Sequence, residues 1–311
     1  VDRVLPRYGH GCLTDILPST LAALGVPGAP DPLGLAAGPL AGIRRVAVLL
    51  IDGLGARQVP LAAPLAPALA ELAAGTAYEL TAGFPSTTPT SLVSMGTGTA
   101  PGTHGVLAFT LNVPGTDRVL NHIEWRNDPP PREWQPVPTW FERAAAAGVA
   151  VTAVSRPEFD GSGLTVAAYR GATYRGAADV DATAIGMLDA LTAGEAPALV
   201  YGYHPDVDRA GHLFGVDSPQ WRAEVSAVDR LLSRLVDGLP ADSALLVTAD
   251  HGQLDVPAAS RLDIATDARL RAGIRVVAGE PRVRYLHTVP GARDDVIATW
   301  RSVLGERAWV A

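Results

Sequence analysis

The sequence predicts an α/β protein with a mainly parallel central sheet, helices on both faces and a small irregular cap. Short β-rich apolar runs alternate with longer Ala/Leu segments of helical period, the order that a parallel sheet requires. The runs are continuously hydrophobic, as strands covered on both faces are, and three of them run into aspartates.

In chain order the strand runs are RRVAVLLI (44–51), VAVTAVS (149–155), ALVYGY (198–203), ALLVTA (244–249) and IRVVAG (274–279). Helical patterns occupy 58–74, 89–96, 139–147, 178–193, 217–237 and 291–304. Residues 110–138 are rich in proline and aperiodic, which marks the cap. That excursion is too short to hold a core of its own, so 1–311 reads as a single catalytic domain.

Hydrophobic residues make up 48% of the chain and charged residues 18%, the balance of a globular protein with a sizeable core. The net charge is −7, which argues against the basic stripe of a nucleic-acid-binding surface. Gly and Pro interrupt residues 21–42, so no membrane-spanning segment is expected. The opening VDRVLPRYGHG lacks the layout of a signal peptide, which makes a cytoplasmic protein the expectation. Cys12 is the only cysteine and can form no intramolecular disulfide.

The chemistry concentrates where the strands end. The first run leads into Asp52, the fourth into Asp250, and the third reaches Asp206 and Asp208 a few residues on. Ligands of open α/β sheets bind beyond the carboxyl ends of the strands, so these acids converge on one edge. His251 follows Asp250 directly, and His212 stands four residues after Asp208, on the same face of a helical turn. His287 follows the last strand. A lone aspartate after a strand is ordinarily a helix cap. The set Asp52, Asp208, His212, Asp250, His251 and His287 instead has the donor types of a zinc centre.

Residues 83–98, GFPSTTPTSLVSMGTG, supply hydroxyls. Pro89 suits the first turn of a helix and makes Thr88 the expected N-cap, where a helix N-terminus favours negative charge. A hydroxyl is a weak nucleophile until a base or metal activates it, and the strand-end ligands provide that activation. The dinucleotide-binding alternative fails, because in DGLGARQ Gln58 stands where the third glycine belongs.

LLIDGLG, FPSTTPTSLVSMGTGTAPGTHGV, DVDRAGH and VTADHGQ occur in the order seen in nucleotide pyrophosphatases/phosphodiesterases of the alkaline phosphatase superfamily, which the chain resembles over roughly residues 44–290. The resemblance implies an alkaline-phosphatase-like sandwich, two divalent metal ions (zinc), a threonine nucleophile and hydrolysis of a small phosphodiester or pyrophosphate substrate through a threonyl-phosphate. By position, it makes Thr88 the nucleophile. Asp52, Thr88, Asp250 and His251 would bind one zinc, and Asp208, His212 and His287 the other. Asp206 is left as a neighbour of the ligands.

Two departures stand out. Pro89 replaces the aromatic residue that stacks on a nucleobase in animal and related bacterial members. Phe109 falls where those members carry a phosphoryl-binding Asn, with Asn112 three residues on as a substitute. Phe109 and Asn112 are therefore the candidate substrate-binding residues. Trp125, Trp134, Phe159, Tyr174 and Tyr203 are further aromatics that could line a pocket. Competing readings on the same fold are a phosphomonoesterase, with Arg156 or Arg209 for the phosphate, a phosphonoacetate-type hydrolase and a metal-binding homologue without catalysis.

Overall fold

The computed structural model describes residues 4–75, 78–195 and 197–311. Its strands are β1 (Arg45–Ile51), β2 (Thr110–Asn112), β3 (Val119–Asn121), β4 (Ala150–Ser155), β5 (Thr173–Gly176), β6 (Ala198–His204), β7 (Ser243–Thr248), β8 (Ile274–Gly279) and β9 (Arg284–Thr288). Five of them form a sheet in the order β5-β4-β6-β1-β7, with every pairing parallel. The α/β architecture with a parallel central sheet is thus present. β6 is buried along its whole length and β1 nearly so, the continuous burial that their apolar runs implied.

Alternate residues of β1 serve opposite faces. Ala47, Leu49 and Ile51 join a core with Trp221, Val225, Val228, Leu231 and Leu235 of the helix Pro219–Gly238 and with Met187 of the helix Val180–Thr192. Val46, Val48 and Leu50 point the other way and are equally buried. Side-chain caps fix where helices begin: Asp179, Ser218 and Thr139 each accept an amide of the first turn, and Thr139 with Glu142 makes a capping box.

Three expectations are corrected. The run 274–279 is a strand, but β8 belongs to a separate antiparallel sheet ordered β3-β2-β8-β9. The fifth parallel strand is β5, whose four residues, TYRG, are too few and too polar to show a hydrophobic run. The helix expected over 58–74 is broken into Val59–Ala62, a 3-10 turn Ala63–Leu65, and Pro67–Ala74, because Pro60, Pro64 and Pro67 interrupt its hydrogen bonding. The cap segment 110–138 is also less irregular than expected, since it carries the β2–β3 hairpin.

The described chain divides into two compact units. The first comprises residues up to 107 together with 124–254 and contains the parallel sheet. The second, 108–123 with 255–311, contains the antiparallel sheet and a core of Leu270, Val296, Trp300 and Leu304. Among the described residues no helix is long and apolar enough to cross a membrane.

In the first unit the helix Thr88–Thr97 lies against the helix Gly163–Tyr169 so closely that a Cβ on Gly96 would fall 2.1 Å from the Ala168 carbonyl oxygen. Gly96→Ala should therefore destabilise the protein by about 1–3 kcal/mol despite its better helix propensity. Gly102→Ala, at an exposed helical position with open space around it, should not destabilise. Urea unfolding of the two variants beside the parent chain measures both.

Candidate active site

The register of the parallel sheet assembles the site in the first unit. Ile51 of β1 pairs with His204 of β6, and Leu50 with Thr248 of β7, so the three strands finish side by side. Asp52 follows β1 directly, and its amide donates to the His204 carbonyl at 2.9 Å. β6 passes through Pro205 into the helix Asp206–Phe214, which carries Asp208 and His212 one turn apart. Gly53 turns with φ +72°, and a Cβ there would lie 2.8 Å from Asp208 Oδ1, so only glycine lets the turn approach that aspartate.

Three carboxylates and His251 meet here. A ring nitrogen of His251 and carboxylate oxygens of Asp52 and Asp208 lie within 4.8 Å of one another. His251 Nε2 is 3.3 Å from Asp250 Oδ2 and 3.6 Å from Asp52 Oδ1. Its Nδ1 lies 3.0 Å from the Gly252 carbonyl, which can only accept, so Nδ1 carries a proton and Nε2 is the nitrogen turned to the cluster. His212 Nε2 stands 3.4 Å from Asp208 Oδ2 and is largely exposed.

Thr88 reaches the same point from the opposite side. Its Oγ1 lies 3.1 Å from His251 Nε2 and 3.5 and 3.4 Å from the two Asp52 oxygens. The expected N-cap is off by one residue: Thr87 is extended at φ −145°, and its carbonyl accepts the Ser91 amide, so Thr88 is the first helical residue. Proline fits either of the first two helical positions, which is why Pro89 left the boundary ambiguous. The shift frees the Thr88 hydroxyl from capping and points it at the acids.

Uncharged donors arrange the carboxylates. The Tyr203 hydroxyl donates to Asp52 Oδ2. Gly53 and His251 amides donate to Asp250 Oδ1 at 3.1 and 2.9 Å. The Gln253 side-chain amide donates to Asp208 Oδ1 and to its carbonyl, both at 2.8 Å, while Gln58 holds the Gln253 carbonyl at 2.7 Å. Sequence reasoning missed Gln253 and Gln58 altogether; only the position of Gln253 beside Asp250-His251-Gly252 hints at a role.

The site is strongly anionic. Burial, then the charges of Asp250 and Asp208, push the Asp52 carboxyl well above the usual carboxylate range, against the opposing Tyr203 hydrogen bond. Burial also raises Asp208, opposed by His212 and His251. Among the described residues no arginine pairs with Asp52, Asp208 or Asp250. Asp250 Oδ2 is fully buried and has no hydrogen-bond partner, which is costly for a carboxylate oxygen. An orphaned acceptor facing an imidazole nitrogen fits a cation between them.

The remaining sequence candidates belong to other elements. His287 sits within β9 of the second unit, not after the last strand, half-buried and opposite Val276. Phe109 and Asn112 also belong to that unit. The Phe109 carbonyl accepts from the His122 amide, and the Asn112 side-chain amide holds the Thr116 and Arg118 carbonyls of the hairpin turn, each at 2.9 Å. In the first unit Asp206 pairs with Arg156, whose guanidinium also donates to the Ala178 carbonyl. Arg209 is exposed. Trp125 is buried edge-on to Trp134 and Phe159 packs on Tyr203, so these aromatics serve packing.

Residues 46–310 match the family model for type I phosphodiesterase / nucleotide pyrophosphatase. The chain is 27% identical over 187 residues to an uncharacterized pyrophosphatase/phosphodiesterase of Schizosaccharomyces pombe, covering 54% of this chain and 36% of that protein. It is 31% identical over 99 residues to the alkaline phosphatase PhoD of Zymomonas mobilis, covering 29% and 17%. It thus spans well under half the length of either relative. Murine ectonucleotide pyrophosphatase/phosphodiesterase 5, solved as an inactive threonine-to-alanine variant with AMP, has a TM-score of 0.64 at 18% identity, over 84% of this chain and 70% of that one. Phosphonoacetate hydrolase from Sinorhizobium meliloti, with phosphonoformate, has a TM-score of 0.62 at 20% identity, over 85% and 74%. At such identities the likeness is one of fold.

If ions relieve the buried acids, chelated protein should melt at a lower temperature than protein returned to zinc. A ligand that binds only the folded chain stabilises it by about 2.7 kcal/mol at a hundred times its dissociation constant. Calorimetry of both forms checks this, and Asp250→Ala should lose much of the shift. A melting temperature indifferent to zinc would count against a metal centre.

Proposed function

The chain belongs to the type I phosphodiesterase / nucleotide pyrophosphatase family, and on that premise we propose a metal-dependent hydrolase that cleaves phosphodiester or pyrophosphate bonds by attack of Thr88. The observation that carries this reading is the Thr88 hydroxyl, 3.1 Å from His251 Nε2 and facing both oxygens of Asp52 at the head of a ten-residue helix. The inactive threonine-to-alanine variant among the structural neighbours supports a threonine in that role.

One ion would take Asp52, Thr88, Asp250 and His251, and the other Asp208 and His212. Two such zinc ions would supply Lewis-acid charge for the attacking and leaving oxygens. The chain does the rest. Thr88 forms a bond to phosphorus as the bond to the leaving oxygen breaks, giving a threonyl-phosphate that water hydrolyses to restore the hydroxyl. Thr88 and Thr90 stand in the first turn, where a helix leaves its amides without helical partners and favours phosphoryl oxygens; Pro89 has no amide to offer.

Diesters suit this site better than monoesters. A monoester dianion needs additional cations in the transition state; of the two arginines it could call on, Arg156 is committed to Asp206 and the Ala178 carbonyl, and Arg209 is exposed. A second reading, cleavage of a phosphonate carbon–phosphorus bond, is favoured by the fold it shares with phosphonoacetate hydrolase.

Steady-state kinetics separates these. Bis(p-nitrophenyl) phosphate or the p-nitrophenyl ester of thymidine monophosphate should exceed p-nitrophenyl phosphate in kcat/KM by at least about tenfold, roughly 1.4 kcal/mol of transition-state binding. A monoester preference, or turnover confined to phosphonoacetate, would overturn the diesterase assignment. Thr88→Ala should abolish turnover while retaining its metal, and Thr88→Ser should keep measurable activity. Because Thr88 does not cap its helix, the alanine variant should also lose less than about 1 kcal/mol of stability. If Thr87→Ala is instead the inactive variant, the nucleophile is misassigned.

A further inference from the structure

A second convergence of donors lies in the first unit, on residues that the reaction does not use. A ring nitrogen of His204 and carboxylate oxygens of Asp206 and Glu224 lie within 4.8 Å of one another. They come from three elements: His204 closes β6, Asp206 opens the helix Asp206–Phe214, and Glu224 stands in the second turn of the helix Pro219–Gly238.

Two of the three lack protein partners. His204 is 4% exposed, and its Nε2 is wholly buried without a hydrogen bond. Buried polar nitrogens left unpaired lose their water and gain nothing in return. Glu224 is half-buried and, among the described residues, makes no hydrogen bond or ion pair. Asp206 is engaged on Oδ2 by Arg156, leaving Oδ1. Arg156, Arg230 and Arg209 all act on the Glu224 carboxylate, so it is the unpaired nitrogen and the converging donors, not net charge, that call for an ion.

We propose that His204, Asp206 and Glu224 hold a divalent transition-metal cation, zinc or manganese. One imidazole and two carboxylates suit these ions better than magnesium, which prefers oxygen alone. Donors around tetrahedral zinc stand about 3.3 Å apart, and Glu224, the longest and least buried of the three side chains, supplies the closing movement. The ion shares no ligand with the reaction site. It braces that site instead. The His204 carbonyl holds the Asp52 amide, and Asp206 starts the helix that presents Asp208 and His212.

The test is metal content. Wild-type chain, Glu224→Gln and Asp250→Ala are stripped with chelator, dialysed against zinc and measured by plasma mass spectrometry, with folding followed by circular dichroism. Glu224→Gln, isosteric and near the surface, should hold one equivalent fewer than wild type. His204→Gln should match it. If either variant folds and keeps the full wild-type complement, the proposal is overturned. The outcome is independent of the hydrolase reading: a loss in Glu224→Gln with none in Asp250→Ala would sustain this site and undermine the reaction-site metals, and the reverse pattern would do the opposite.

Discussion

Mutual repulsion among Asp52, Asp208 and Asp250 is the constraint around which the first unit is organised. Three adjacent parallel strands deliver these acids to one sheet edge, and the register leaves them no room to separate. The donors that meet them are all uncharged: a phenol, two backbone amides and a carboxamide. Each fixes the orientation of an oxygen without cancelling its charge. A lysine or arginine in the same place would have neutralised the cluster and closed it to ions. The arrangement keeps its negative potential for something that arrives from outside.

The nucleophile depends on the same constraint. Thr88 heads its helix because Thr87 turns extended, and the helix is held in place by backbone contact with the neighbouring helix at Gly96. Moving the cap one residue upstream changes what Thr88 can do. A capping hydroxyl would be spent on an amide, whereas this one faces a carboxylate and an imidazole. The departure from the expected boundary therefore strengthens the chemical case.

What was legible in the sequence follows from where information is local. Strand ends followed by Asp52 or Asp250, and a one-turn Asp208–His212 spacing, are short-range patterns that the structure brings together. Pairing partners are long-range. Nothing in IRVVAG distinguishes a strand of the parallel sheet from β8, because burial on both faces reads alike in either setting. β5 was invisible at four residues. Gln253, Gln58 and Glu224 carry no pattern at all, since a polar side chain reveals its partner only once the fold has chosen it. Tyr203 was noticed as an aromatic, yet it is its hydroxyl that acts on Asp52.

The second unit is assembled from two distant stretches, and that has a consequence for biosynthesis. All strands of the parallel sheet have been translated by Thr248, so the nascent chain can complete that sheet while the ribosome is still at work. The β2–β3 hairpin emerges much earlier than its partner: Thr110 pairs with Gly279, 169 residues downstream. Isolated hairpins are marginal in water, and closing so long a loop is slow. Throughout most of its synthesis the chain would thus carry an unpaired strand edge, the kind of surface for which chaperones compete with misassembly.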